Sequence, residues 1–571
     1  MKDVKKEEKK LDKKKEKRIR FHVIIVFFII VFGIGIAPKA LQNDTFYTVK
    51  IGEYISQNGI SNLREDPFSW NELPYVFPHW LYDFMMYGIY SIGGWDAIYV
   101  STICFTCILG ISMYFTSNKI SKNAPVSAVV TLIAMRLMIP YIAARAQVVT
   151  FSLFVLELYL IEKYLEQAKT RYAVGLLLFS LLIANMHMAV WPFFFVLFIP
   201  YIAEYIISRD WITIDLIIKL KLFVQKHRKN KDEEKIAKLE EAIKHNQKRR
   251  AELKENPYKI RVTRNDNTKK LILVMLLCML MGVFTPTGMS TPYTYLAKTC
   301  MGNTVKVINE HMPLSLRGNE EFTAFFVFFI VILTFIDIKI DLKHLLYYCG
   351  ILYLALNARR QVSMFLVICT PILAQLIGQI FERYIKNGQE KLIDIVTNFY
   401  GKAVLLAAIL IISIQHFKSK MHQEYYTNDD YPIYAAEWMK NNLDLSTLKL
   451  FNEYNYGSYL LYQGIPVMID SRADLYSPEF NSRTGRKEDG NDIFMDVQNI
   501  ATGDDDYRIT FENYGINHVI TYSDSRLCSK LKKNKNYKKI YPDAFQEQQD
   551  KKFVIFEKVD SDTEELEEQT E

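Results

Sequence analysis

Runs of mostly apolar residues, separated by short polar turns, recur along the chain as far as residue 416. A helix rises about 1.5 Å per residue, so runs of this length reach across most or all of a hydrocarbon core. We predict about eleven membrane-spanning helices, near residues 21–37, 96–116, 125–141, 148–164, 172–186, 190–208, 270–286, 322–337, 343–356, 362–381 and 402–416. The apolar but short segment 79–94 is predicted to be an interfacial or re-entrant helix.

The pattern changes after residue 420, where strand-like runs alternate with helical stretches. The runs LKLFNE, PVMID, NHVITYS and KFVIFEK have the residue types of strands, whereas YPIYAAEWMKNNL is typical of a helix. Composition agrees with two kinds of region, because 50% of the residues are apolar while the mean hydropathy is only +0.01. We therefore predict a multi-span α-helical membrane protein with a C-terminal soluble α/β domain.

Charge is distributed unevenly around a net value of +7. The Lys-rich head, the loops SNKISKN and EKYLEQAKTRY, the stretch 209–270 and FERYIKNGQEK are all basic, and the predicted spans place them on one side. Because Lys and Arg accumulate in cytoplasmic loops, we predict a cytoplasmic N-terminus and an extracytoplasmic C-terminal domain, in a cytoplasmic membrane. Blocks of like charge at the two ends predict solvated, disordered tails.

These boundaries divide the chain into six parts. They are a basic cytoplasmic tail (1–20), a first membrane half (21–208) with an extracytoplasmic loop (38–95), a basic cytoplasmic helical insertion (209–269), a second membrane half (270–416), the extracytoplasmic α/β domain (420–558) and an acidic tail (559–571). In the insertion, Ile236, Leu239, Ile243 and Leu253 form a thin apolar stripe among charges. One interpretation is a short helical hairpin, and the other is a surface for anionic headgroups or a partner.

A separate set of acidic, imidazole and arginine side chains lies in turns that the predicted spans place on the outer side. A lone residue of this kind is commonly a cap or a snorkelling side chain, but together they supply carboxylates, imidazoles and guanidinium groups at one surface. Guanidinium groups suit a phosphate, and a carboxylate suits proton transfer. We interpret the set as catalytic acids (Asp44, Asp66), phosphate-binding arginines (Arg145, Arg359, Arg360) and substrate-binding residues (His79, His187, Glu310, His311).

A second polar group follows the predicted strand PVMID in the C-terminal domain and comprises Asp470, Arg472 and Asp474. Sites commonly lie at the carboxyl ends of strands in α/β sheets, so these residues are a candidate site. The alternative is a salt-bridged turn that fixes the domain to the membrane part.

Several motifs occur in a distinctive order: Asp44 after the first span, GISNLREDPFSW followed by PHWLYDFMMYGIYSIGGWDAIY, then RAQVVTFSLFVLELYLIE, ANMHMAVW, NARRQVSMFLVICTPILA and LFNEYNYGSYLLYQGIPVMIDSRADLY. In this order the chain resembles the GT-C class of integral-membrane glycosyltransferases, and particularly a broad bacterial group with a soluble extracytoplasmic C-terminal domain. The motifs are loose in sequence but specific in order. The resemblance covers nearly the whole chain apart from the basic insertion.

The resemblance implies an enzyme that transfers a hexosyl or pentosyl group from a polyprenyl-phosphate-linked donor to a glycan, lipid or protein acceptor at the outer leaflet. Asp44 would be the general base or a ligand of a divalent metal such as Mg or Mn, and Arg145, Arg359 and Arg360 would hold the donor phosphate. His79 and His187 match positions near the site. The chain departs from the family where Asp44 is followed by Thr45 rather than a second acid, and where Arg145-Ala146-Gln147 replaces Arg-Pro-Gln.

Two other classes of function remain as alternatives, and nucleic acid is not an expected partner. A transporter or flippase favours charges near the membrane midplane and inverted repeats, whereas here the charges gather at one face. A non-catalytic, membrane-anchored envelope-assembly protein needs the spans only as an anchor. Arg359 and Arg360 distinguish these readings, because anchoring gives them no function beyond contact with headgroups.

Overall fold

The computed structural model describes residues 2–60, 63–208, 214–227, 232–255, 259–484 and 486–559. The predicted acidic tail lies outside these residues except for Val559. The first half of the membrane part consists of eight helices: α1 (Lys2–Ile36), α2 (Asn43–Asn58), α3 (Trp80–Ser121), α4 (Ala124–Leu137), α5 (Ala146–Gln167), α6 (Thr170–Met186), α7 (Trp191–Val196) and α8 (Ile199–Ile207).

The insertion and the second membrane half follow the same helical pattern. They contain α9 (Ile214–Lys226), α10 (Glu233–Glu255), α11 (Thr268–Leu280), α12 (Thr291–Met301), α13 (Thr304–Val307), α14 (Glu320–Phe335), α15 (Leu342–Asn357), α16 (Gln361–Tyr384), α17 (Gly388–Thr397) and α18 (Phe399–Met421). Two short strands, β1 (Ile260–Arg261) and β2 (Ile340–Asp341), pair in parallel.

Apolar helices make this a membrane protein. Among the described residues, five segments are long and apolar enough to cross a membrane: Leu11–Ile36, Trp80–Ser121, Met188–Ile207, Gln361–Tyr384 and Phe399–Met421. Two shorter apolar helices, α4 and α6, also coincide with predicted spans.

The basic head differs from its prediction, because residues 2–20 continue the helix of the first apolar run instead of forming a disordered tail. Lys and Glu are good helix formers, and a helix that is already nucleated extends at low cost. Opposite charges support it, since Arg20 pairs with Glu16 at 2.5 Å and Lys17 pairs with Asp394 of α17 at 2.8 Å.

Helix α3 bends where the predicted interfacial helix meets the predicted span. Gly93 and Gly94 have non-helical backbone angles, and Gly94 has a φ of 60°, which glycine adopts at little cost. The part before the bend packs against α2, and the part after it enters the helical bundle.

The C-terminal region contains a four-stranded sheet in the order β3 (Leu450–Phe451), β4 (His518–Tyr522), β6 (Phe553–Lys558) and β5 (Tyr537–Tyr541). Strands β3 and β4 are parallel, and β6 is antiparallel to both β4 and β5. Six helices accompany the sheet: α19 (Ile433–Asn442), α20 (Gly457–Tyr462), α21 (Pro478–Asn481), α22 (Ile493–Thr502), α23 (Tyr507–Tyr514) and α24 (Arg526–Leu531). The predicted strand PVMID is not part of it, and Val467 instead makes an isolated bridge to Ser69 of the first loop.

One hydrophobic core joins α2, the start of α3 and the C-terminal region. Phe46 of α2 is fully buried, and its ring lies 4.9–5.6 Å, centroid to centroid, from five aromatic rings of α3 and the C-terminal region: Trp95, Tyr426, Tyr431, Tyr459 and Tyr462. A separate core fills the helical bundle. The shared core therefore fixes α2 against the C-terminal region.

Candidate active site

A cavity of about 430 Å³ lies at the end of the helical bundle that faces the C-terminal region. Its polar end is lined by six residues from different elements: Asp44, His79, Arg145, His187, Glu310 and Arg360. Its other wall is apolar and includes Phe151, Phe154, Val190, Phe193, Val196 and Met364. The cavity thus offers charge at one end and a hydrocarbon-like surface at the other, in the size range of small-molecule sites.

An ion pair between Asp44 and Arg145 lies at the polar end. Asp44 is in the first turn of α2, where the helix dipole favours a carboxylate, and Arg145 immediately precedes α5. A guanidinium nitrogen of Arg145 also lies 3.9 Å from Oε1 of Glu310. Burial works against the charge of Arg145, but the attraction of Asp44 and Glu310 outweighs it and raises the pKa of Arg145. Both partners remain partly open to solvent, with side-chain exposures of 16% for Asp44 and 32% for Arg145.

His79 and His187 form an edge-to-face pair at the cavity wall, with ring centroids 5.0 Å apart. Burial lowers the pKa of His79 to about 4, although the nearby Asp44 opposes the shift. Burial also lowers the pKa of His187 well below its usual value, and His79 and Arg360 lower it further. Nδ1 of His187 lies 3.2 Å from the hydroxyl of Thr150. Both imidazoles are therefore neutral near pH 7 and serve as hydrogen-bonding groups rather than as cations.

The adjacent arginines point to different partners. Arg360 lines the cavity and donates from its guanidinium to Nε2 of His311 at 3.1 Å, which identifies that nitrogen as an acceptor. Burial, with Arg360 nearby, lowers the pKa of His311 to about 4, in agreement with a neutral ring. Arg359 does not line this cavity, and its side chain instead bonds Asn309 and the carbonyl of Pro313.

Backbone hydrogen bonds fix the loop that carries Glu310 and His311. The amides of Arg359 and Arg360 donate to the carbonyls of Met312 and Glu310, each at 3.0 Å. The turn before α16 and this loop therefore form one support for the polar end of the cavity.

A second recess of about 510 Å³ adjoins the cavity and shares Arg145, Glu310 and Arg360 with it. Arg359 lines this recess. The C-terminal region closes it with Tyr454, Asn455, Phe494 and Gln498, and the membrane part contributes Gln42, Tyr141 and Asn309. The two spaces therefore meet at Arg145, Glu310 and Arg360.

Asp66, Asp470 and Arg472 line neither space, so the structure separates them from the predicted catalytic group. Arg472 donates to Asp66 at 2.6 Å and to both carboxylate oxygens of Asp470, at 2.9 and 2.6 Å. The hydroxyl of Tyr476 donates to Asp470 at 2.6 Å, and the amide of Ser69 donates to Asp66 at 2.8 Å. This buried cluster joins the first loop to the C-terminal region, which is the salt-bridged alternative raised for these residues.

Asp474 also lies outside the cavity and joins two elements. Its Oδ2 accepts from the hydroxyls of Tyr295 at 2.9 Å and Thr299 at 3.3 Å, both in α12. Burial raises the pKa of Asp474, and these two hydrogen bonds and Arg360 oppose the shift. We therefore place Asp474 with the residues that hold the C-terminal region in position.

The carboxylates at the cavity do not form a metal centre. Within the part of the chain that the structure describes, no group of three or more His, Cys, Asp or Glu side chains converges as metal ligands do. Asp44 is already engaged by Arg145, and Glu310 lies on the far side of the same guanidinium. These side chains do not fit a metal held by the protein alone, and the expectation of a divalent metal stays a prediction.

Sequence reasoning missed several cavity residues, notably Tyr47, Thr48 and Thr150. Tyr47 and Thr48 lie three and four positions after Asp44, so helical periodicity places them on the same face of α2. Thr150 follows Arg145 on α5, and its hydroxyl contacts His187. The residues of the second recess from the C-terminal region gave no local signal, because tertiary packing brings them to the membrane part.

No protein-family model and no curated protein sequence matches the chain. Its fold does match solved structures. The Archaeoglobus fulgidus oligosaccharyltransferase tethered with an acceptor peptide containing the NVT sequon aligns with a TM-score of 0.51 and 10% identity, over 88% of this chain and 69% of that chain. The archaeal oligosaccharyltransferase AglB from the same organism, in complex with an inhibitory peptide and a dolichol-phosphate, aligns with a TM-score of 0.49 and 11% identity, over 88% and 70%. The chain thus has the fold of GT-C class membrane glycosyltransferases, as its motif order indicated.

Proposed function

We propose that this protein is a membrane glycosyltransferase that moves a sugar from a polyprenyl-phosphate-linked donor to a cell-envelope acceptor at the outer face of the cytoplasmic membrane. The observation that carries the proposal is a single cavity in which Asp44, two arginines and two neutral histidines face an apolar wall. A phosphate, a sugar and a hydrocarbon chain need these three kinds of surface in this arrangement.

The donor fits this cavity with its phosphate at Arg145 and Arg360 and its first isoprene units along the apolar wall of Phe151, Phe154 and Phe193. Guanidinium groups bind phosphate through paired hydrogen bonds, and partial burial strengthens the attraction. His79 and His187, both neutral, then hydrogen-bond the sugar hydroxyls without adding positive charge.

Asp44 and Arg145 form their ion pair in the protein before the donor binds. The donor phosphate competes with Asp44 for Arg145, and its binding frees the carboxylate to act as a base. Binding of the donor phosphate therefore prepares the proton acceptor.

In the reaction, the acceptor hydroxyl attacks the anomeric carbon and its proton passes to Asp44. The new bond joins the acceptor oxygen to the anomeric carbon, and the bond between that carbon and the phosphate oxygen breaks. The leaving polyprenyl phosphate keeps the electron pair, and Arg145 and Arg360 stabilise its charge.

The acceptor enters through the second recess, which meets the cavity at Arg145, Glu310 and Arg360. Aromatic and amide side chains, among them Tyr454, Asn455 and Gln498, suit a glycan or a peptide. In this proposal the C-terminal α/β domain lies outside the membrane after about eleven spans, and the basic insertion lies in the cytoplasm.

The test is turnover and donor binding of purified protein in nanodiscs, with a polyprenyl-phospho-sugar as the probe. Asp44→Asn keeps the shape of the side chain but removes the proton acceptor, so turnover should fall about 100-fold or more. Donor binding should be retained or become tighter, because Asn does not compete with the phosphate for Arg145. Arg136→Ala is the control, because Arg136 pairs with Glu321 and lines neither space. Wild-type turnover in Asp44→Asn would refute the assignment of the base, and absence of donor binding by the wild type would refute the function.

A further inference from the structure

Helix α9 of the insertion exposes an unusually apolar face. Ile217, Leu220, Phe223 and Val224 are 59%, 65%, 62% and 48% exposed. With about 100° of rotation per helical residue, these four positions fall within a sector of about 120°. The exposed apolar residues of α9 therefore form one continuous face.

Packing within the insertion uses the other side of the helix. Helices α9 and α10 contact each other, and Lys226 of α9 pairs with Glu240 of α10 at 2.7 Å. Ile218 and Leu222, which point away from the apolar face, are partly covered. Leu220 and Val224 border a groove that α9 shares with Leu239 of α10, yet they remain 65% and 48% exposed. Helix α10 therefore leaves most of the apolar face uncovered.

Exposed lysines border this face on both sides. Lys221 lies along the edge formed by Ile217 and Val224, and Lys219 lies one turn before Phe223 on the opposite edge. An apolar stripe flanked by lysines is typical of a helix that lies in a membrane interface, where the long side chains reach the headgroups.

The connection to the membrane part keeps α9 near the bilayer. The apolar segment Met188–Ile207 begins beside the cavity residue His187 and has 20 residues, so it ends about 30 Å away, at the opposite membrane face. Six residue steps join Ser208 to Ile214, and an extended chain of that length reaches about 20 Å.

We infer that α9 binds the surface of the membrane at the face opposite the cavity, with its apolar face among lipid chains and Lys219 and Lys221 on anionic headgroups. The short tether favours lipid over a soluble partner, because the helix cannot leave the neighbourhood of the bilayer. The positive charge at the borders selects anionic lipid. This inference stands independently of the proposed function.

Hydrogen exchange of the full-length protein tests it in nanodiscs of phosphatidylcholine alone and of phosphatidylcholine with about 30% phosphatidylglycerol. Amides of residues 217–226 should exchange about tenfold more slowly in the anionic nanodiscs. Replacing Lys219 and Lys221 by Gln should remove most of that difference. The matched control replaces two lysines of α10 that do not line the shared groove, Lys244 and Lys248, and should retain it.

In a second variant, Leu220→Ser with Phe223→Ser, amides 217–226 should exchange faster than in the wild type in both kinds of nanodisc. The variant removes the two most exposed apolar side chains of this face. Equal exchange in the two lipid compositions would overturn the inference, as would an equal loss in the α10 control. Slowing that follows the number of protein copies per nanodisc, regardless of lipid, would assign the face to a second copy and also overturn it.

Discussion

Two Asp–Arg groups join the first loop to distant parts of the chain, and they differ in how completely they are satisfied. Arg472 is 3% exposed and directs its guanidinium nitrogens to two carboxylates, Asp66 and Asp470. Arg145 is 32% exposed, has one close carboxylate in Asp44, and faces a cavity. Each guanidinium nitrogen of Arg472 therefore donates to a buried carboxylate, whereas the guanidinium of Arg145 remains accessible from the cavity, as the proposed phosphate-binding role requires.

The largest effect is expected from Arg472→Ala, which leaves the buried carboxylates of Asp66 and Asp470 without a counter-charge. Removing one member of a buried ion pair costs roughly 3–5 kcal/mol, so the unfolding temperature in detergent should fall strongly. Arg145→Ala is the matched control and should change stability by less than about 1 kcal/mol, because its pair is partly solvated. Similar stability of the two variants would remove the distinction between the clusters.

A smaller effect is expected on donor affinity, in which the adjacent residues Arg359 and Arg360 should differ. Arg360→Ala should weaken binding of a polyprenyl-phospho-sugar about tenfold or more, and Arg360→Lys should weaken it less, because Lys keeps the charge but not the planar fork. Arg359→Ala should leave donor binding within about twofold, since its side chain bonds Asn309 and lies in the second recess. Equal losses at both positions would indicate that the donor phosphate extends into the second recess.

The smallest effect concerns acid stability. The folded protein holds the pKa of His79 at about 4, below the usual value of about 6.5, so the unfolded chain binds this proton first as the pH falls. The contribution of the neutral His79 ring to the free energy of unfolding is fully present above about pH 6.5 and is lost as the pH falls towards about 4. His79→Gln should therefore narrow the difference in unfolding temperature between pH 7.5 and pH 5, measured by fluorescence with the exposed His422→Gln as control. If the difference in unfolding temperature between the two pH values stays as in the wild type, His79 does not contribute to the loss of stability in acid.

The sequence predicted the positions of the apolar helices because their signal is local. Each predicted span coincides with one helix, in some cases continued by a short turn. The span 190–208 is the exception, because two short helices, α7 and α8, occupy it in succession. The strand predicted at PVMID failed for a tertiary reason, since Val467 pairs with Ser69 of the first loop rather than with the sheet. Residues 2–20 are helical rather than disordered because Lys and Glu both have high helix propensity, which a prediction from charge alone does not include.

Chain order placed several candidate side chains on one side, and Asp44, Arg145, His187, Glu310 and Arg360 do lie around one cavity. Sequence could not separate Asp44 from Asp66, because the arginine that engages Asp66 is 406 positions away. Likewise, adjacent arginines look equivalent in sequence, but the loop of Asn309 takes up Arg359 and leaves Arg360 to the cavity. Partners distant in sequence decide these roles.

Phe46 links the position of Asp44 to the C-terminal region. It lies two positions after Asp44 on α2, and its ring is held among Trp95 and the tyrosines of the domain. Any tilt of the domain that kept these rings together would carry α2 and the Asp44 carboxylate with it.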